Sequence, residues 1–277
     1  MKVIDHSVSK EVFEIIESNY EGVLETLPKP SKENLPSYYK SEDYISHTDT
    51  RRNLLEQVYH LVRKSAIKRK LQLINSFNSE DKTLLDIGCG TGDFLKTALD
   101  SSWDVRGIEP NPQARKNANT KTNNAVSDTS ELERFKKNSF DVITLWHVLE
   151  HLPNLEEDIK TFHKLLKPNG TLVIAVPNYK SYDAKYYKTF WAAYDVPRHL
   201  WHFSKEGIST LFQKFNFKLE KTHPMLFDSF YVSLLSEKYK NGFMNPFNAF
   251  LVGLRSNYKA RTSNEYSSLI YIFKMNE

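Results

Sequence analysis

Three alternating glycines follow a short apolar segment and precede a helical pattern, in the run LLDIGCGTGD over residues 84–93. Glycines allow a tight turn and a close approach to a ligand, and the start of a helix presents free N–H groups. A dinucleotide site needs its third glycine at position 93, where this chain has Asp93, and a carboxylate there repels a pyrophosphate. The pattern therefore favours a nucleoside-type ligand without phosphates over a nicotinamide cofactor.

An acidic residue, Glu109, ends the next apolar segment, about 20 positions after Gly88, where a carboxylate accepts hydrogen bonds from both ribose hydroxyls. Cys89 lies inside the glycine loop, and no base stands beside it in the sequence. We therefore interpret Cys89 as a small loop residue and not as a nucleophile.

A second group of polar residues follows a later apolar segment. His147, Glu150 and His151 have the spacing that places side chains on one side of a helical turn. A histidine with a pKa near 6.5 suits proton removal at neutral pH, so we take His147, His151 and His199 as catalytic candidates and expect no metal requirement. Two alternatives stay open: the trio binds a divalent ion together with His199 or His202, or it only holds the turn through local hydrogen bonds.

The elements that position these residues alternate between short apolar runs and helical patterns over residues 83–178, which is typical of a parallel sheet covered on both faces. A hairpin is predicted over residues 11–27, and a long amphipathic helix over 51–77 whose basic residues (63, 64, 68, 69 and 70) form a solvated face. Strands are predicted at 83–87, 105–108, 125–126, 140–145, 171–176, 217–222 and 267–274. Further helices are predicted at 155–166, ended by a turn at 167–170, and at 205–215.

The flanking segments are rich in aromatic residues. We expect residues 1–50 to form an N-terminal extension that acts as a lid on a domain spanning 51–277, with residues 179–203 as an aromatic lid over the acceptor. Residues 224–264 form an aromatic insertion before the last strand. A pocket wall or a dimer face is favoured there over membrane contact, because Asp228, Glu237 and Asn248 interrupt the apolar pattern.

Composition narrows the class of protein. The chain has 277 residues, one cysteine and a net charge of +4. A single cysteine excludes a disulfide-stapled fold and a cysteine-rich zinc site. No signal-peptide core and no membrane-spanning stretch is visible, so we expect a soluble cytoplasmic protein without nucleic acid as partner.

Four sequence motifs of this chain resemble those of a known family. The glycine run, GIEPN at 107–111, FDVITLWHVLEHL at 140–152 and LLKPNGTLVIAVPN at 165–178 are similar to the class I S-adenosylmethionine-dependent methyltransferases. Within that family, HVLEHL and DVPRHLWHFS resemble the branch that contains ubiquinone-type O-methyltransferases and small-molecule or sugar methyltransferases. Some relatives carry paired cysteines before a YYxSxxY segment. Residues 38–44 match that segment, but residues 1–35 hold no cysteine.

The resemblance implies a Rossmann-like α/β fold: a doubly wound, seven-stranded, mainly parallel sheet with an antiparallel last strand. It implies S-adenosylmethionine as cofactor, with Glu109 on the ribose. Residues implied to line the rest of that site are Asp86, Gly88, Cys89, Gly90 and Gly92 at the methionine half, Pro110 and Asn111 beside the adenine, Asp128 or Ser127 at the adenine amine, and Trp146 against the cofactor.

The expected activity is O-methylation of a small or lipid-like hydroxyl acceptor, and a homodimer is one option for the assembly, which the sequence does not determine. Two alternatives are 2′-O-methylation of RNA, where related folds use Glu-x-x-Glu-His to bind a divalent ion, and a non-catalytic S-adenosylmethionine-binding protein. The first glutamate of that ion motif is replaced here by His147.

Overall fold

A computed structural model describes residues 1–31, 33–39, 54–77, 79 and 81–276 of the chain. Within them the strands are β1 (Lys2–Ile4), β2 (Val12–Glu17), β3 (Val23–Leu27), β4 (Thr83–Ile87), β5 (Asp104–Ile108), β6 (Val126–Ser127), β7 (Phe140–Trp146), β8 (Leu166–Pro177), β9 (Trp201–Phe203), β10 (Phe217–Pro224) and β11 (Ser268–Met275). The α-helices are α1 (Leu54–Asn75), α2 (Asp93–Leu99), α3 (Pro112–Lys121), α4 (Leu155–Leu165), α5 (Tyr182–Tyr187), α6 (Lys205–Gln213), α7 (Asp228–Asn241) and α8 (Pro246–Ser263).

Seven strands form one sheet in the order β10-β11-β8-β7-β4-β5-β6. Strands β4 to β8 pair in parallel, and β11 pairs antiparallel with both β8 and β10. The strand order reverses at β4, which has β5 on one side and β7 on the other. The sheet is the Rossmann-like, mainly parallel one that the motifs imply, and an open sheet of this kind binds ligands at the carboxyl ends of the strands beside the reversal.

Both faces of this sheet are covered, as the near-continuous apolar strands predict. Successive residues of β4 point to opposite faces, so Leu84 packs with Phe94 of α2 while Leu85 packs with Phe162 of α4. Helices α1, α2 and α3 cover one face, and α4 and α6 cover the other. These layers fix the strand ends, which carry the candidate site residues.

A second sheet has four antiparallel strands in the order β1-β2-β3-β9. The predicted hairpin is β2–β3, and its partner β9 comes from the segment expected as an acceptor lid. The expected lid aromatics Trp191 and Tyr194 are buried with Phe13 and Ile15 in a hydrophobic cluster under this sheet. They therefore belong to the core of a small subdomain, and the expectation that this segment covers the acceptor stays a prediction.

Most predicted boundaries agree within three residues, and the main difference lies at the start of β8. Strand β8 begins at Leu166, immediately after α4, so the turn expected at 167–170 is the irregular start of a strand. The insertion at 224–264 folds into the two helices α7 and α8. The lid boundary at residue 50 and the residues 40–44 of the YYxSxxY segment lie outside the described residues. No helix among those described is long and apolar enough to cross a lipid bilayer.

Candidate functional site

The carboxyl ends of β4, β5 and β7 meet at one edge of the sheet. The glycine loop follows β4, Glu109 follows β5, and Trp146 is the last residue of β7. Backbone N–H groups of Gly88 and Cys89 both donate to the carbonyl of Ile108, at 2.7 and 3.1 Å, which ties the loop to the end of β5. The predicted cofactor residues are therefore brought together at the point where the strand order reverses.

Glycine occupies the three loop positions for different structural reasons. A Cβ on Gly88 would lie 2.4 Å from Val148, and one on Gly92 would lie 2.8 Å from Ala118 of α3. A Cβ on Gly90 would meet no atom within 4 Å, although its φ of +56° still favours glycine. Gly88 and Gly92 are thus required by packing, whereas Gly90 borders open space into which a ligand fits.

Glu109 is a buried carboxylate that holds two backbone amides. Its Oε2 accepts the Gly90 N–H at 2.8 Å, and its Oε1 accepts the Asn111 N–H at 2.9 Å. Burial raises its pKa, while these two hydrogen bonds oppose the change. A carboxylate oxygen has two lone pairs and can accept a second hydrogen bond, so Glu109 retains capacity for two ribose hydroxyls.

The opposite side of this edge contains Asp86, Trp146 and Lys70 of α1. The Asp86 Oδ1 accepts the Thr144 hydroxyl at 2.6 Å, and burial raises the Asp86 pKa to about 7. The Lys70 ammonium lies 4.3 Å from the centre of the Trp146 ring. Burial lowers its pKa to about 8, with the charges of Asp86 and Asp228 opposing the shift. The Trp146 Nε1 is buried without a hydrogen-bond partner among the described residues. Its N–H group is therefore able to donate to a bound ligand.

Lys70 is a site residue that the sequence interpretation missed, because it was grouped with a solvated basic face. In the structure Arg63 pairs with Asp93 of α2, and Arg69 lies 5.4 Å from the Phe227 ring. Lys64, Lys68 and Arg69 are exposed, as a solvated face requires, whereas Arg63 and Lys70 are partly buried. The signal available in the sequence was Lys70's place on the same side of the helix as the buried Ile74, one turn away.

The remaining predicted cofactor residues lie at the rim. Asn111 caps α3 through its side chain, and Pro110 is exposed beside it. Asp128 caps a 3₁₀ turn and its Oδ2 lies 3.1 Å from Arg115, which lowers its pKa together with the capping bond from Ser130. Asp128 is thus occupied locally, and its contact with an adenine amine stays a prediction. Burial raises the pKa of the Cys89 thiol well above its usual range, which opposes nucleophilic use.

His147 is placed between two carboxylates. Its Nε2 lies 3.1 Å from Asp228 of α7, and its Nδ1 lies 3.4 Å from Glu150. Burial alone would lower the His147 pKa, but these carboxylates outweigh burial and raise it to about 10. An imidazole that is protonated at neutral pH has no lone pair to accept a proton. His147 in this position connects α7 to the end of β7, a setting that disfavours a general base, and its catalytic role stays a prediction.

Glu150, His151 and His199 form a cluster of hydrogen-bond acceptors, with candidate ligand atoms all within 4.8 Å of one another. Glu150 is 1% exposed; its Oε1 lies 3.4 Å from His147 Nδ1, and its Oε2 has no hydrogen-bond partner among the described residues. His151 Nδ1 lies 3.0 Å from the Arg198 carbonyl, and His199 Nδ1 lies 2.8 Å from the Ala193 carbonyl. A carbonyl accepts only from N–H, so in each ring Nε2 keeps the lone pair. This arrangement suits a shared proton or a bound cation.

The small subdomain holds this cluster in place. Arg198 is 4% exposed on its side chain and contacts Asp5 at 2.9 Å and Asp195 at 2.8 Å, so it joins the β1–β2 connection to the segment that carries His199. Tyr39 places its hydroxyl 3.1 Å from His151 Nδ1. His202 is buried and 2.9 Å from the Thr26 hydroxyl, and it does not join the cluster.

Comparison with known proteins identifies the class. A family model described as a methyltransferase domain matches residues 58–222, which is more than half of the chain. The chain belongs to this methyltransferase family, and the fold and motifs make it a class I S-adenosylmethionine-dependent methyltransferase. S-Adenosylmethionine is accordingly its cofactor, and the open space at Gly90, the free acceptor capacity of Glu109 and the unpaired Trp146 Nε1 fit such a group.

Relatives with curated names are similar over part of the chain. The ubiquinone biosynthesis O-methyltransferase of Hydrogenovibrio crunogenus is 28% identical over 123 residues, which cover 41% of this chain and 51% of that protein. The sterol 4-C-methyltransferase of Caenorhabditis elegans is 29% identical over 135 residues, which cover 44% and 39% respectively. The chain thus spans about half the length, or less, of the curated relatives it matches.

Solved structures share the fold. The 1,6-didemethyltoxoflavin-N1-methyltransferase of Burkholderia thailandensis, with S-adenosylhomocysteine bound, has a TM-score of 0.54 at 12% identity and covers 97% of both chains. Phosphoethanolamine N-methyltransferase 2 of Haemonchus contortus, in complex with S-adenosylmethionine, has a TM-score of 0.50 at 18% identity and covers 78% of this chain and 52% of its own. At these identities the likeness concerns the fold alone.

Proposed function

We propose that this methyltransferase transfers a methyl group to a hydroxyl of a small or lipid-like acceptor. The observation that carries the proposal is the Glu150–His151–His199 cluster, which stands just beyond the end of β7 and places two imidazole rings beside a buried carboxylate. A hydroxyl must lose its proton during methylation, and acceptor atoms beside the cofactor edge serve that need. The names of the ubiquinone biosynthesis O-methyltransferase relatives support the same reaction type.

The surroundings of the cluster act on proton uptake in two directions, because the nearby carboxylates favour it and burial opposes it at His151. His147 is protonated between Asp228 and Glu150, so this group of three carries a net negative charge. His151 is neutral, because burial and the nearby His199 lower its pKa to about 4. A proton accepted at Nε2 of His199 or His151 therefore meets a compensating buried carboxylate, Glu150, which stabilises the imidazolium.

S-Adenosylmethionine supplies an electrophilic methyl group, and the protein's residues do the rest. Glu109 and the glycine loop orient the cofactor, and Trp146 with Lys70 forms the wall on the side of β7. His199 or His151 accepts the proton of the acceptor hydroxyl, with Glu150 as the charge partner. The small subdomain keeps water from this cluster and fixes both rings through the carbonyls of Ala193 and Arg198.

The test measures S-adenosylhomocysteine release against a panel of phenols, quinols, sterols, fatty alcohols, sugars and RNA. Methylated products are analysed by mass spectrometry, so that O-, N- and C-methylation are distinguished. On the accepted hydroxyl substrate, His199→Gln and Glu150→Gln should retain cofactor affinity and lose about a hundredfold or more in rate. His223→Gln, on β10 and away from the cluster, is the matched control.

Three results would contradict the proposal. Full turnover in His199→Gln, His151→Gln and Glu150→Gln would show that the cluster takes no proton. A rate that a chelator abolishes and magnesium or zinc restores would assign the cluster to a divalent ion, against our expectation that none is required. Cofactor binding without turnover on any acceptor in the panel would favour the non-catalytic alternative.

A further inference from the structure

Helices α7 and α8 bury mainly small and polar side chains, which is unusual for a pair of helices on a water-exposed surface. Helix α8 buries the small residues Ala249, Val252, Gly253, Ser256 and Ala260. Helix α7 buries Ser229, Ser233, Ser236 and Glu237. An ordinary surface helix buries its large apolar residues and exposes its polar ones, so this pair is inverted.

The large apolar side chains of the pair point outward. Phe247 is 75% exposed and Tyr258 is 70% exposed, and both belong to one stripe on α8. The stripe continues over the α7–α8 connection and the start of α7, and we call this surface the aromatic face. Its members are Leu226, Phe227, Tyr231, Phe243, Met244, Phe247, Phe250, Leu251, Leu254 and Tyr258. An apolar patch of this extent on a protein surface marks an interaction site.

The polar residues that interrupt the apolar pattern in the sequence do not interrupt the aromatic face. Asp228 turns towards His147, at 3.1 Å. Glu237 is 1% exposed and accepts hydrogen bonds from Tyr187 and Asn248. The sequence-based reason for setting membrane contact aside was these three residues, Asp228, Glu237 and Asn248, and the structure removes it.

The charged residues of the segment that carries the aromatic face indicate which kind of partner it binds. Over residues 226–263 the only acidic side chains are Asp228 and Glu237, and both are engaged inside the protein. The basic side chains of the same segment are Lys238, Lys240, Arg255, Lys259 and Arg261. Two copies of the chain meeting through this surface would bring like charges together, which disfavours association. Exposed aromatic residues on a segment that also carries five basic side chains are instead suited to a membrane surface that contains anionic lipids.

We propose that the aromatic face docks on an anionic lipid surface, with α7 and α8 lying in the plane of the interface. Small buried residues allow the close packing of the two helices, and a Cβ on Gly253 would lie 2.7 Å from the Phe230 ring. The face begins at Phe227, directly beside Asp228, so a docked molecule holds the His147 side of the site near the lipid headgroups. The inference rests on the surface itself and holds whichever acceptor is methylated.

The experiment is sedimentation of the full chain with vesicles of phosphatidylcholine alone and of an equal mixture with phosphatidylglycerol. We expect binding to the anionic vesicles, at least tenfold weaker binding to the neutral ones, and a loss of affinity on adding salt. The combined change Phe247→Ser, Phe250→Ser and Leu254→Ser should reduce partitioning about a hundredfold or more, since each aromatic or leucine buried contributes roughly tenfold. Lys240→Glu with Lys259→Glu should weaken binding to the anionic vesicles only.

Matched controls come from another exposed apolar surface. Val12→Ser with Ile16→Ser removes two exposed side chains of β2 and should leave vesicle binding unchanged. Equal partitioning of the wild type and the triple variant would overturn the proposal. So would wild-type protein that ignores both vesicle types, including the case in which size-exclusion chromatography shows a dimer that the triple variant cannot form.

Discussion

Replacing Glu109 by alanine tests the cofactor site most directly. The Glu109 carboxylate binds the glycine loop and is also expected to bind the ribose. A hydrogen bond to a charged group contributes about 1.5–3 kcal/mol. Two ribose hydroxyls on Glu109 therefore account for about 3 kcal/mol at the lower end of that range, which corresponds to ~150-fold in affinity. Calorimetry with S-adenosylhomocysteine should show this loss in Glu109→Ala.

The same change also leaves the N–H groups of Gly90 and Asn111 without their acceptor. A buried unsatisfied donor costs about 1–3 kcal/mol, so the melting temperature should fall by several degrees. Loop damage alone would weaken any ligand, and a second ligand is needed to separate the two effects. The 2′,3′-dideoxy analogue of S-adenosylhomocysteine serves, because it lacks the hydroxyls that Glu109 is expected to hold.

Wild-type protein should prefer the hydroxylated ligand by about 150-fold, and Glu109→Ala should bind both ligands with similar affinity. Glu131→Ala, which removes an acidic residue from an exposed ion pair with Arg134, should keep the wild-type preference. A Glu109→Ala protein that still prefers the hydroxylated ligand to the full extent would refute the assignment of the ribose to this carboxylate.

Three further outcomes are expected. Gly90→Arg should abolish S-adenosylmethionine binding in calorimetry while the protein stays folded, because the side chain enters open space and meets no packed atom. The difference in unfolding free energy between wild type and His147→Gln should be largest below pH 6.5 and decline as the pH rises towards 10. The reason is that a native pKa raised to about 10 stabilises the fold only while the ring is protonated. Chemical denaturation across pH measures this difference, and a constant value would show that the ion pairs do not form. Asp5→Asn should cost about 2 kcal/mol of stability, less than the ~3–5 kcal/mol of a fully broken buried pair, because Arg198 retains Asp195; unchanged denaturation midpoints would contradict the buried contact.

The large sheet was predictable because its strands are buried on both faces and read as apolar runs between helices, so β4 and β7 were recognised within a residue. Strands β1 and β9 were missed because three residues are too few to show a period. The contacts that reassign His147 and Lys70 depend on where α7 and α1 pack. No local pattern encodes the approach of Asp228 to His147 across the fold.

The two insertion helices were not predicted, for a different physical reason. The expectation that large apolar residues face inward assumes that water surrounds the helix. In α8 the residues that face inward are small, and a stripe of alanine, glycine and serine is a weak signal beside phenylalanine and leucine. Sequence reasoning identified the segment as aromatic-rich but assigned the aromatic side to the interior of a pocket or dimer.

The four-stranded sheet has a consequence for how the chain acquires its shape. Its β3 strand pairs with β9, and the Thr26 hydroxyl donates to the carbonyl of His199, 173 positions further along. The ribosome releases β1–β3 long before it synthesises β9. Until then the edge of β3 that pairs with β9 is open. Closing so long a loop is slow unless the intervening residues are already compact. The large sheet is thus expected to assemble first and to present β9, so that the cluster at His199 is completed only in the last stage of folding.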